Sequence, residues 1–87
     1  MRYMLVREGD GAGDSGPMCQ ILDRESYTPI EGETRPRVGC GVRVGSPFAR
    51  TFASDWWQTT VVTEILEERE DYIRFKTRNS IYVWRII

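Results

Sequence analysis

The chain has 87 residues, 40% of them apolar and 11% aromatic, enough for one compact domain and too few for two cores. This composition excludes a disordered tail, and there is no internal repeat or low-complexity tract. The net charge of −1 argues for no particular partner, and no apolar run nears membrane-spanning length, so no membrane association is expected.

The opening "MRYMLVREGD" carries too short an apolar run for a secretory signal. "RYMLVRE", residues 2–8, reads as a first strand. "GDGAGDSGP", residues 9–17, reads as a flexible hairpin loop. Its glycine spacing resembles phosphate loops, but the Lys-Ser/Thr ending and a following helix are missing, and Asp10 and Asp14 would repel phosphate. "MCQILD", residues 18–23, reads as a second strand, and the polar, Pro-containing residues 24–36 as loop. "RVGCGVRVG", residues 37–45, has β-branched residues spaced by glycines, the pattern of a bent or bulged strand. In "TTVVTEILEE", residues 59–68, the start is strand-like and a short helix is conceivable only near its end. "DYIRFKT" alternates, with Ile73, Phe75 and Thr77 on one face and Tyr72, Arg74 and Lys76 on the other. The "RNS" turn returns the chain into a last strand, "IYVWRII", as an antiparallel hairpin. The expected fold is all-β: a small five- or six-stranded barrel, or a strongly bent antiparallel sheet, with an α+β sheet carrying one helix as the alternative.

Eleven of the twelve basic residues are arginine. The plain reading is codon bias in a GC-rich genome. The sharper reading is that guanidinium forks onto phosphate or carboxylate and stacks on rings. Arg35, Arg37, Arg43 and Arg50 fall in a stretch without acids, whereas Glu64 to Asp71 holds five acids and one arginine. Cys19 and Cys40 lack CxxC spacing and read as buried free thiols of a reducing compartment. The chain has no histidine, so a zinc site lacks ligands and the commonest general base is missing. No metal, cofactor or catalysis is expected.

The candidate site is "RVGSPFARTFASDWWQTT", residues 43–60. Gly45 and Ser46 allow a tight backbone with N–H groups turned outward, an arrangement that holds anions. Ser46, Thr51, Thr59 and Thr60 add hydroxyls, and Arg43 and Arg50 add charge. Trp56 and Trp57 offer flat faces for a base or a cation. In an extended segment the two point to opposite faces, one into the core; in a turn both lie near one surface. Ser54 and Asp55 would close a local turn ahead of them. A connection with solvated arginines and a tryptophan covering the barrel mouth explains the same residues. Arg74, Lys76 and Arg78 near Tyr72 would extend a nucleic-acid groove, although cross-strand pairing with Glu64, Glu67 and Glu68 is the simpler expectation.

These motifs, "RVGSPFARTFASDWWQTT" followed by "IRFKTRNSIYVW", resemble a family of small proteins encoded by phages and related mobile elements. The resemblance covers about a third of the chain. Some compact phage proteins of this size act as sponges that sequester the cyclic nucleotide signals of bacterial immune systems such as CBASS. The resemblance implies a β-rich homo-oligomeric binder of a cyclic di- or oligonucleotide, acting in the bacterial host cytoplasm. In that reading Trp56 and Trp57 stack on bases, Arg43 and Arg50 meet phosphates, and Ser46, Thr51, Thr59 and Thr60 donate hydrogen bonds. A single-stranded nucleic-acid binder of the small-barrel type and a protein–protein inhibitor or adaptor remain as alternatives.

Overall fold

The computed structural model describes residues 1–46 and 56–87. Among the described residues the chain forms eight strands and no helix. The first two, β1 (Tyr3–Arg7) and β2 (Gly13–Gly16), form a hairpin, and β3 (Met18–Leu22) follows after one proline. Next come β4 (Gly41–Gly45), β5 (Trp56–Gln58), β6 (Val62–Arg69), β7 (Tyr72–Thr77) and β8 (Ile81–Ile86). They make a five-stranded sheet in the order β2-β1-β8-β7-β6 and a three-stranded sheet in the order β3-β4-β5, both antiparallel.

Two bent segments join the sheets. Residues 13–22 pair with β1 through β2 and, past the Gly16–Pro17 corner, with β4 through β3. Residues 56–69 pair with β4 through β5 and with β7 through β6. The β1–β8 pairing completes the circuit. The eight assigned strands are therefore six lengths of chain, two of them bent, in the up-and-down circuit of a small barrel.

One contiguous core fills the interior. Leu5, Ile21, Val42, Val44, Ile73 and Phe75 are completely buried, and Trp84 is 1% exposed. Removing each such side chain from water stabilises the fold by about 1.5–3 kcal/mol. The alternation read from residues 71–77 holds: Ile73, Phe75 and Thr77 are buried while Tyr72, Arg74 and Lys76 face outward. Trp84 donates its indole N–H to the Cys19 sulfur at 3.4 Å, and Phe75 and Tyr82 stack at 5.5 Å. Both cysteines are buried and free, and burial pushes the Cys19 thiol up to about 11.

Three details differ from the sequence reading. The glycine-rich residues 9–17 contain strand β2, because their backbone pairs with β1 despite lacking β-forming side chains. The end of residues 59–68 is strand, not helix. Pairing with β7 runs along the whole of β6 and absorbs two register shifts, which gives each residue more than an isolated two-turn helix would. Within residues 37–45, only residues 41–45 are strand, and Gly39 takes the left-handed φ of 92° in the turn before it.

The corners depend on close backbone approach. A Cβ on Gly16 would sit 2.3 Å from the carbonyl oxygen of Gly45. At the second corner Thr59 donates its N–H to the Val42 carbonyl at 2.8 Å, and its hydroxyl accepts from Val42 N–H at 3.1 Å. The Tyr27 hydroxyl donates to the Thr59 carbonyl at 2.5 Å, which ties the 24–36 loop to that corner. Tyr27 itself holds a left-handed φ of 56°, a conformation that costs energy for a bulky residue. Gly16→Ala is expected to destabilise the protein by roughly 3 kcal/mol or more, because the obstacle is main chain that cannot rotate away. Tyr27→Phe, which removes one hydrogen bond and keeps the ring, should cost about 1 kcal/mol. Urea unfolding monitored by circular dichroism checks both.

Candidate functional site

The outward face of the three-stranded sheet carries a row of polar residues in cross-strand register. Gln20 of β3 pairs with Arg43 of β4, and Arg43 pairs with Gln58 of β5. Val42 and Val44 are buried, so Arg43 between them points outward by simple alternation. Its guanidinium donates Nε and Nη2 to the Gln58 amide oxygen at 3.0 and 2.7 Å, and Nη1 to the Gln20 amide oxygen at 3.0 Å. It also lies over the Trp56 indole, 4.9 Å from the ring centroid. Trp56 is 37% exposed.

Five other arginines pair with carboxylates: Arg7 with Asp10, Arg35 with Glu68, Arg37 with Glu33, Arg69 with Glu67 and Arg74 with Glu8. Arg43 is positioned differently. Among the described residues its partners are neutral amides, which orient the guanidinium without supplying a counter-charge. Three of its five N–H donors are engaged, so two have no partner among the described residues. A planar cation with a spare fork, stacked beside a half-exposed indole, suits an anion that carries a flat ring.

The two tryptophans separate. Trp56 lies opposite Gly45 and Trp57 opposite Val44, so they occupy opposite faces of β5. Trp57 packs against the core, donates its indole N–H to the Tyr82 hydroxyl at 3.2 Å, and is covered by the Arg7 guanidinium at 5.0 Å. Thr59 is 3% exposed, and its hydroxyl is spent on Val42 N–H and the Thr60 carbonyl. It serves the corner rather than a ligand. Thr60 is exposed, and Ser46 is half-buried at the end of β4. Arg50 and Thr51, and the turn expected at Ser54 and Asp55, lie outside the described residues. Arg43 and Trp56 thus share the outward face of the β4–β5 pair, Ser46 follows the end of β4, and Trp57 and Thr59 turn away. Gln20 and Gln58 were not legible as site residues, because only strand register brings them to Arg43.

Arg74 follows neither of the two readings of the Arg74, Lys76 and Arg78 face, the basic groove or the simpler cross-strand pairing with Glu64, Glu67 and Glu68. Arg74 reaches across β8 and forms a two-pronged pair with Glu8, at 2.7 and 2.9 Å, not with the acids of β6. Tyr72 is covered by Arg69 at 5.2 Å and Arg85 at 4.7 Å. Comparison with protein-family models, curated proteins and solved structures finds no match to the chain.

Two carboxylates tie the β1–β2 turn. Arg7, with help from Ala12 N–H, draws Asp10 down from 3.8 to about 2, and Arg74 holds Glu8 below its ordinary value. A carboxylate depressed in the folded state stabilises the fold above its unfolded value and loses that contribution as pH falls through the folded one. The melting temperature should therefore decline as pH drops from about 5 towards 2. Asp10→Asn together with Glu8→Gln should flatten that decline, and added salt should shrink the difference because both pairs are exposed. Circular dichroism melts across the pH series measure it.

Proposed function

We propose that the protein is a non-catalytic binder that sequesters a nucleotide-type ligand on the outward face of the three-stranded sheet. The observation that carries this reading is the Arg43 guanidinium, fixed by Gln20 and Gln58, stacked on the half-exposed Trp56 and without a carboxylate among the described residues. A phosphate takes the spare guanidinium donors, and a base takes the indole face. A cyclic di- or oligonucleotide, the ligand class of phage sponges that the sequence resembles, offers both groups in one compact molecule.

The reading involves no turnover. The chain has no histidine, Cys19 and Cys40 are buried, and the Cys19 thiol stays protonated at neutral pH. Sequestration needs only mass action. Among the described residues the site is an open face rather than a deep cavity, so a second copy of the chain would complete an enclosing pocket, and we propose a homo-oligomer for that reason.

The test is tryptophan fluorescence and thermal shift against cyclic di- and trinucleotides, linear mononucleotides and a short single-stranded DNA. One cyclic species should stabilise the protein and be recovered intact after denaturation. Trp56→Ala should weaken its binding by about 5- to 150-fold, the range expected from ~1–3 kcal/mol of base stacking. Arg43→Lys, which keeps charge but loses the fork and the stack, should weaken it about tenfold or more. Both variants should stay folded, whereas Trp57→Ala should destabilise the fold itself by on the order of 3 kcal/mol. Folded Trp56 and Arg43 variants that bind like the parent would sink the proposal. Binding only to DNA, with a steep salt dependence, would shift the reading to a single-strand binder.

A further inference from the structure

A second basic feature lies at the turn end of the five-stranded sheet, on other elements than the Arg43–Trp56 face. A cleft of about 670 Å³ separates the β1–β2 turn from the end of β7 and the β7–β8 turn. Its size falls in the range of small-molecule sites. One wall is Arg7 to Asp10; the other is Lys76 and residues 78–81.

The charges in the cleft do not cancel. Its two carboxylates are already committed, Glu8 to Arg74 and Asp10 to Arg7. Glu64, the register partner of Lys76 on β6, makes no ion pair with it. The side chains of Lys76 and Arg78 thus have no carboxylate, hydrogen-bond or ring partner among the described residues. Two neighbouring cations that share no counter-charge repel each other, and an anion between them relieves that cost. Hydrogen-bond donors are also to hand. The backbone N–H groups of Gly9, Arg78 and Asn79 make no bond within the described residues, and the Asn79 and Ser80 side chains line the same wall. A lysine point charge, a guanidinium fork and several neutral donors match a multiply charged oxyanion with oxygens on several sides.

We propose that this cleft binds the phosphate end of a small phosphate-bearing molecule, held between Lys76 and Arg78. A nucleic-acid strand fits less well. Its next phosphates would run onto the acidic β6, where Glu64 has no ion-pair partner among the described residues. The site is independent of Arg43 and Trp56, and either can fail without the other.

Inorganic pyrophosphate is the probe, titrated at constant ionic strength into the ¹⁵N-labelled protein and followed by two-dimensional NMR. Saturable shifts should centre on the amides of residues 8–10 and 76–81. The double variant Lys76→Ala, Arg78→Ala should bind at least tenfold more weakly with its spectrum otherwise intact, since both side chains are exposed. Arg43→Ala should titrate like the parent. The proposal is overturned by shifts that never saturate or spread evenly over all basic residues, the mark of screening. It is equally overturned by a double variant that titrates unchanged. Tighter binding of a short single-stranded DNA at these same amides would replace a phosphate-metabolite site with a nucleic-acid one.

Discussion

The fold depends on a contact between two glycines. Gly16 and Gly45 bring two main chains so close that no Cβ fits between them. That approach lets residues 13–22 leave β1 at the Gly16–Pro17 corner and continue along β4. Without the corner, the hairpin of β1 and β2 would end in an open edge, and only the second bent segment, residues 56–69, would run from one sheet into the other. The second corner uses a different device. There the ladder between β4 and the 56–69 segment breaks, and the Thr59 hydroxyl replaces the lost main-chain acceptor for Val42. The Tyr27 hydroxyl covers the Thr59 carbonyl in turn. Backbone groups at a buried corner must find partners, and here two side chains supply them.

The same economy accounts for much of the arginine content. Guanidinium groups lie over Trp57, Trp84, Trp56 and Tyr72, at 4.7 to 5.7 Å from the ring centroids. Arg35 covers Trp84 while bonding Glu68 and the carbonyls of Arg69 and Glu70, so one side chain ties the 24–36 loop to the β6–β7 turn. Arg7 does the equivalent at the other end of β1, over Trp57 and against Asp10. A lysine would supply the charge without the flat stacking face or the fork. In a domain with a small core, such caps extend the packed volume outward by using the aliphatic stem and plane of a polar side chain.

The sequence made the C-terminal half of the fold plain and obscured the bends. Alternation at Ile73, Phe75 and Thr77 and the "RNS" turn state a hairpin directly, because one face is buried and the period is two. The β2 segment, Gly-Asp-Ser-Gly, carries no such signal; its pairing is main chain alone. In β6 two register shifts scramble the alternation, which is why that run looked half helical. Ion pairs were the least legible feature. Arg74 and Glu8 are 66 residues apart, and the acids of β6, closer in sequence and in register, are not its partners. For the candidate site, composition marked Arg43 and Trp56 but could not separate Trp56 from Trp57. That separation follows from period two only once β5 is known to be a strand.

What distinguishes Arg43 is the chemistry of its neighbours. In the five ion pairs a carboxylate fixes the arginine and cancels it together, so each pair presents little net charge. At Gln20 and Gln58 the two effects are uncoupled: the amide oxygens accept the hydrogen bonds that orient the guanidinium, and no negative charge accompanies them. A glutamate at either position would hold the side chain at least as firmly and would repel a phosphate. A pure solubilising role needs no such orientation, since a free arginine solvates as well without two cross-strand amides and an indole beneath it. Among the described residues, Arg43 is thus oriented without being neutralised, on the same face as the half-exposed Trp56 ring.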